Sequence, residues 1–566
     1  MAAESNPPVS VSKPDDTLGV EATKPERLVE HHDIGGGLET KQAARHSEVE
    51  HALSIRQAIK HYRWAIVWCM IVSMTVVMDG YDTILIGNFY AFPTFQKKYG
   101  RWVGISDRSR SGYQLDPAWQ AAVGNGAGIG GFFGALLNGY MVNKFGQKRT
   151  IVGSLVILSC FIFIVFFAPN IQVLLIGQIL CGMPWGIFAT SSPAYASEML
   201  PMVLRVYFTS WTNMCFIIGQ LIAAGVLRGC LSRDDQFGYR IPFAMQWVWP
   251  LFLVPILCFA PESPWHFVRK GRFEDAEASV RRLQGEDCPT SPKDAVAAIH
   301  HVNTLEEELS VGTSYRDCFK GFELRRTEIA CLCFAGQIMS GTPIAYNATY
   351  FFEQVGLDSS VIYNLNIGGT VLALFGAVCS WLFLMPRFGR RTIYVCGTFT
   401  MGTLLYIIGL LNIWSDKSRR VGLSQSILAL VWKFCFQLSA GQLGWAIPAE
   451  VGSTRLRQKT IVLARNAYYI TLVIANVLQP YMINPTAWGL SGYTGSVWGT
   501  TAFCICTWAF FRLPETKDRT FEQLDILFAK NVSARRFAKT VVDTLDAQEK
   551  RDFADTYKRT KEGPEN

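Results

Sequence analysis

Long apolar runs alternate with short polar stretches along most of this chain, and the length of the runs points to a class of fold. A helix crossing a bilayer core of about 30 Å needs roughly 20 consecutive, mostly apolar residues. Runs of that kind lie near 64–88, 118–140, 150–167, 172–193, 206–228, 241–260, 328–352, 361–385, 392–413, 424–448, 460–482 and 495–513. The pattern predicts an all-α membrane protein with twelve transmembrane helices, the third of them short. A polar interval divides the runs six and six, and its stretch Gly271–Leu283 reads as charged and helical. The expected organisation is a disordered cytoplasmic tail over 1–60, a six-helix half over 61–260, a helical cytoplasmic linker over 261–326, a second half over 327–513 and a cytoplasmic tail over 514–566.

Composition agrees with the runs. Half of the 566 residues are hydrophobic and only 17% are charged, too few for the surface of a soluble protein of this length. The formal charge of +8 is no sign of nucleic-acid binding, because the basic residues sit mainly in short loops and the tails. Lys144, Lys148 and Arg149, then Arg387, Arg390 and Arg391, then Arg455, Arg457 and Lys459 mark loops of one phase, and the positive-inside rule places these loops and both termini in the cytoplasm. The segment 89–117 disagrees: it carries Lys97, Lys98, Arg101, Arg108 and Arg110, yet must be external. No cleaved signal peptide is expected, since the first sixty residues lack a short apolar core followed by a cleavage site. Cys69, Cys160, Cys379 and Cys504 lie within apolar runs and read as small buried hydrophobes. No metal cluster or nucleotide loop is apparent, so neither cofactor nor enzymatic activity is expected.

The two halves repeat one another. Lys144-Phe-Gly-Gln-Lys-Arg149-Thr pairs with Arg387-Phe-Gly-Arg-Arg391-Thr, Glu198 and Arg205 with Glu450 and Arg457, and Pro261-Glu-Ser263 with Pro514-Glu-Thr516. The order is the same and the offset is always about 250 residues, the signature of a duplicated six-helix unit.

Asp79 and Asp82 lie within the first run, three apart, and so project from one helix face. A carboxylate inside a bilayer costs about 2.5–3.5 kcal/mol on insertion scales and is rarely kept without a use. Ionising both in a poorly solvated site is penalised, which equips one of them to take up a proton and release it. Local capping near a helix end is the plainer reading. Lys433, about ten residues into the tenth run, is either a partner for Asp82 or a lysine snorkelling to the outer surface.

Gly80-Tyr-Asp82, the basic Phe-Gly loops, Pro261-Glu-Ser-Pro264 and Pro514-Glu-Thr-Lys517 together resemble the sugar porter family of the major facilitator superfamily over roughly residues 60–530. Tyr90-Ala-Phe-Pro-Thr-Phe-Gln-Lys-Lys98, Cys181-Gly-Met-Pro-Trp185, Leu463-Ala-Arg-Asn466 and Thr520-Phe-Glu-Gln-Leu-Asp-Ile-Leu-Phe528 look like the fungal α-glucoside (maltose) permeases. The resemblance implies a monomeric carrier in the lipid of the plasma membrane, importing an α-glucoside with a proton by alternating access. It makes Asp82 the proton-carrying residue. Gln178 stands where the family has a helix-4 arginine.

The same resemblance makes Gln337, Asn213 and Trp445 sugar ligands, with Ile338 and Pro343 departing from the family pattern. Glu198, Arg205, Glu450, Arg457, Arg149 and Arg391 would form a cytoplasmic gate of salt bridges between the halves. Asn143, Pro386 and Trp265 depart from that pattern. A facilitative uniporter, a carrier of another solute such as a secondary metabolite, and a non-transporting receptor share these fold motifs. His31-His32-Asp33 reads as solvated rather than metal-binding, and the glycosylation pattern Asn347-Ala-Thr349 falls within a helix.

Overall fold

The structure is a computed structural model that describes residues 54–540 apart from 105–110, 286–287, 289–290, 311–313, 347, 355–357, 414–418, 454–455, 485–486, 518, 520 and 539. The terminal tails, with His31-His32-Asp33, lie outside the described residues, as do Arg108, Arg110, Asn347, Arg455 and the side chain of Arg457.

Every apolar run is helical. The helices are α1 (Arg63–Phe89), α2 (Pro117–Phe145), α3 (Gln147–Phe166), α4 (Ile171–Met199), α5 (Met202–Cys230) and α6 (Phe237–Cys258). After the linker come α7 (Gly321–Met339), α8 (Ser359–Arg387), α9 (Arg390–Leu411), α10 (Val421–Val451), α11 (Arg457–Ile483) and α12 (Thr494–Arg512). Among the described residues nine helices are long and apolar enough to cross a membrane, and α2, α7 and α12 are not among them. Of the twelve spans expected, nine meet that measure among the described residues. Glycines and amides lower the hydropathy of α2. The run of α7 breaks at Ser340-Gly341 and resumes as Thr342–Tyr346 and Ala348–Gln354. Threonines and tryptophans dilute α12.

The helices pack in two sets with matching pairs. In the first, α1 lies on α5 and α2 on α4; in the second, α7 lies on α11 and α8 on α10. The sets meet where α2 touches α11 and α5 touches α8. Where α1 lies on α5 the backbones nearly touch: a Cβ on Gly80 would sit 2.0 Å from the Phe216 carbonyl oxygen, and one on Gly219 would sit 2.0 Å from that of Val77. Only glycine allows this approach, and it holds the turns of α1 that carry Asp79 and Asp82 close to α5.

The linker has a small core of its own. Its helices Pro264–Arg269, Phe273–Leu283 and Pro292–Ser310 bury Val268, Ala276, Val280, Ala295 and Val296 together. Acids at the start of the second of these helices and arginines at its end complement its dipole. The basic 89–117 segment, at odds with the positive-inside pattern, folds as a helix over Pro93–Tyr99 and a two-residue antiparallel pairing of Arg101–Trp102 with Tyr113–Gln114.

Candidate functional site

The two acids of α1 do not share a destination. Asp82 turns inward among helices of its own half and is 1% exposed. Its Oδ1 accepts from Gln246 Nε2 at 2.7 Å and from Gln178 Nε2 at 3.4 Å, while Oδ2 has no hydrogen-bond partner. Gln178, standing in the place of an arginine, thus keeps the contact but not the charge. No cation reaches Asp82 among the described residues.

Asp79, 60° round the helix, faces the other half. Its Oδ2 lies 3.6 Å from an Arg465 guanidinium nitrogen on α11, an ion-pair distance beyond hydrogen-bond reach. Arg465 is 4% exposed and sits among four rings, with centroids 4.5 Å (Tyr468), 4.7 Å (Trp445), 4.9 Å (Tyr469) and 5.7 Å (Phe334) from its Cζ. Aromatic faces offset part of the desolvation of a buried cation. In the sequence Arg465 stands out only as part of Leu463-Ala-Arg-Asn466. An arginine eight residues into α11 is an intramembrane cation, and the rule that singled out Asp82 applies to it equally.

The amides expected to bind sugar are buried and already bonded. Gln337 Nε2 donates to the carbonyls of Ala440 at 3.1 Å and Gly441 at 3.0 Å. These carbonyls are exposed by a break in α10, where Ser439 leaves helical geometry (φ −128°, ψ −94°). A Cβ on Gly444 would come within 2.3 Å of the same Nε2, so that glycine makes room for the glutamine. Asn213 Nδ2 donates across the halves to Gln437 Oε1 at 3.0 Å, a partner the sequence did not disclose. Trp445 packs edge-on to Phe334 at 5.4 Å, so it joins the Arg465 cluster. Gln337, Trp445, Asp79 and Arg465 therefore converge on one region, and Asp82 lies one turn away within the first half.

Lys433 neither pairs with Asp82 nor snorkels. It is 6% exposed and donates to Thr370 Oγ1 at 3.0 Å, inside the second half. Its side chain lines a small cavity with Asn366 and Trp432, and no acid partners it there.

At the ends of the halves that carry the basic loops, the repeat is visible atom by atom. Glu262 Oε1 accepts from the backbone N–H of Gln147 at 2.8 Å, and Glu515 Oε1 from that of Arg390 at 2.6 Å. Ser263 Oγ donates to Glu198 Oε2 at 2.5 Å, and Thr516 Oγ1 to Glu450 Oε2 at 2.5 Å. Gln147 Nε2 then reaches Glu198 at 2.9 Å, where Arg390 Nε reaches Glu450 at 3.3 Å. This register equates Gln147 with Arg390, and hence Lys148, not Arg149, with Arg391. A one-residue gap in the loop misled the sequence pairing. These bonds of Glu198 and Glu450 lie within their own halves; Arg205 Nε donates to the Leu200 carbonyl and Arg391 Nη2 to that of Phe510. Arg390, read in the sequence only as a basic loop residue, is the described ionic partner of Glu450.

Residues 68–528 match the family described as sugar (and other) transporter. The general alpha-glucoside permease of Saccharomyces cerevisiae is 36% identical over 510 residues, covering 89% of this chain and 82% of that protein. The maltose permease MAL31 of the same yeast is 36% identical over 516 residues, covering 90% and 82%. Among solved structures, the proton:xylose symporter XylE bound to 6-bromo-6-deoxy-D-glucose superposes with a TM-score of 0.68 at 20% identity, over 82% of this chain and 99% of that one. The partially occluded inward-open xylose transporter XylE from E. coli superposes with a TM-score of 0.65 at 19% identity, over 81% and 100%. These likenesses fix the fold as that of the major facilitator superfamily. The chain belongs to the sugar (and other) transporter family, and it is a multi-pass membrane transporter rather than an enzyme.

Proposed function

We propose that the protein imports an α-glucoside such as maltose together with a proton across the plasma membrane, working as a monomer by alternating access, with its basic loops and both termini in the cytoplasm. The observation that carries the reading is Asp82, a buried carboxyl held, among the described residues, by two neutral amides. With no cation to balance it, its charge is costly inside the protein, and binding a proton removes that cost. Asp79 stands on the next turn and is tied across the halves to Arg465, so a change of charge on α1 is felt where the halves meet. The choice of sugar rests on the likeness to the yeast alpha-glucoside and maltose permeases.

In this scheme Gln337, Asn213 and Trp445 present the sugar with two amides and an aromatic face. The bonds Gln337 and Asn213 now make within the protein are exchanged for sugar hydroxyls at little net cost, since a neutral hydrogen bond is worth about 0.5–1.5 kcal/mol in balance. Glu198, Arg205, Glu450, Arg457, Arg149 and Arg391 serve the cytoplasmic closure, Glu198 and Glu450 by bracing the loop ends of each half.

The test is uptake of labelled maltose by a transporter-null cell, with and without a protonophore. Asp82→Asn should abolish uphill accumulation and leave exchange of sugar down its gradient. Accumulation equal to that of the wild type removes Asp82 from the mechanism. A facilitative uniporter is the second reading, favoured by the same neutral surroundings of Asp82, and it requires wild-type uptake that the protonophore does not change.

A further inference from the structure

On the face that carries the basic loops, a cavity of about 300 Å³ opens between the loop joining α2 to α3 and the linker helix Phe273–Leu283. Its walls include Lys148, Arg149, Arg272 and Arg282, against the acids Glu262 and Asp275. Both acids are engaged. Glu262 Oε1 takes backbone N–H groups from Gln147 at 2.8 Å, Lys148 at 3.2 Å and Ser263 at 3.1 Å, so its charge is directed at the start of α3. Asp275 Oδ2 lies 2.7 Å from Arg272 Nη2. Lys148, Arg149 and Arg282 remain, with no acid partner among the described residues. Arg282 spends one donor on the Phe259 carbonyl at 2.5 Å, which orients its guanidinium and leaves the others open. His266, also in the wall, is held below its ordinary range chiefly by burial, which outweighs the opposing pull of Glu262, and it adds a hydrogen-bonding group to the lining.

We propose that this cavity binds a phosphate monoester, whether carried by a soluble sugar phosphate or by the headgroup of a phosphoinositide lipid. Three cations around one half-open hollow suit a dianion with three oxygens better than a single carboxylate. Two of them are guanidiniums, whose forked donors match phosphate oxygens. The volume is at the lower end of small-molecule sites and fits a phosphorylated six-membered ring. Lys148 and Arg149 belong to the start of α3, whereas Arg282 belongs to the linker. A ligand held by both therefore fastens the linker to the first half and gives the carrier a control point away from its sugar path.

The measurement is thermal unfolding of the full chain in phosphatidylcholine nanodiscs, with glucose 6-phosphate added in one arm and phosphatidylinositol 4-phosphate incorporated in the other. A rise in Tm in the first arm identifies a soluble ligand, and a rise confined to the second identifies a lipid. In Lys148→Gln/Arg282→Gln the affinity should fall by about tenfold or more, as expected for two lost charge-assisted bonds. Lys148→Gln/His266→Gln, which leaves the bond from Arg282 to Phe259 intact, should weaken binding as well. No rise with either probe, or equal rises in the wild type and both variants, overturns the proposal. The readout does not involve sugar or proton movement, so its failure would leave the proposed function standing.

Discussion

Arg465→Gln removes one member of a buried ion pair and strands the other. The Arg465 side chain is 4% exposed and that of Asp79 12%, so neither charge has water to fall back on. Deleting one partner of such a pair costs about 3–5 kcal/mol, because the remaining charge is left uncompensated. The 3.6 Å separation carries no hydrogen bond, which puts the expected loss near the lower end, about 3 kcal/mol. That is on the order of 100-fold in the equilibrium between joined and parted halves. Arg465→Lys keeps the charge but gives up planar stacking on Tyr468, Trp445 and Tyr469, so its loss should be intermediate. Asp79→Asn/Arg465→Gln returns the site to neutrality and should recover stability relative to Arg465→Gln alone. Thermal unfolding of these three variants and of Asp79→Asn alone in nanodiscs, set beside maltose accumulation in cells, gives the coupling energy. If the loss in the double variant equals the sum of the losses in Asp79→Asn and Arg465→Gln, the coupling is zero and the pair does not join the halves.

Three further outcomes are expected. Gly80→Ala drives a methyl against the Phe216 carbonyl and must part α1 from α5; overpacking of this kind costs about 1–3 kcal/mol, and it should lower Tm and surface expression where Gly153→Ala, with open space around it, does neither. Lys433→Met keeps the length of an unpaired buried cation and removes its charge, so Tm should stay level or rise while uptake is unchanged; a collapse of uptake would give Lys433 a transport role that its place beside Thr370 does not predict. Glu262→Gln and Glu515→Gln each weaken the cap of one helix start, for about 1 kcal/mol apiece, and the losses should add in the double variant because the two caps serve different repeats.

The helices were legible because hydrocarbon imposes a length and a composition that few other constraints imitate. The acids of α1 were legible for the same reason, since a charge stands out against an apolar run. Their partners were not. Residues three apart share a helix face only to within 60°, and here that angle sends Asp82 to Gln246 and Asp79 to Arg465 on opposite sides of the boundary between halves. The bonding of Gln337 depends on a break in α10 that nothing in its local sequence forces, and Lys433 lies where a snorkelling side chain would lead outward but a cavity in the second half takes it in. The repeat was visible as a pattern, yet its register in the basic loops required the two glutamate caps to be seen side by side.

The contacts that join the halves differ in strength, and the difference bears on how the proposed cycle runs. Near the end of α1 remote from the basic loops they include the neutral bonds of Thr349 to Asn88 at 2.8 Å and Tyr363 to the Asn88 carbonyl at 3.0 Å, with an exposed bond from Arg228 Nε to Asn364 Oδ1 at 2.9 Å. Toward the basic loops, Trp381 donates to the Tyr207 carbonyl at 3.1 Å. Such bonds exchange with water for about 1 kcal/mol or less each, so either end can open as the other closes. The Asp79–Arg465 pair is of another order, because separating it while both are charged would leave two ions in a poorly solvated interior. Alternating access therefore needs either a rocking motion that keeps this pair together as a pivot or a proton that neutralises Asp79 before Arg465 leaves. The variants distinguish these routes. A pivot tolerates Asp79→Asn poorly in stability but retains downhill exchange, whereas a pair that must break should exchange sugar faster once Asp79→Asn has removed the attraction.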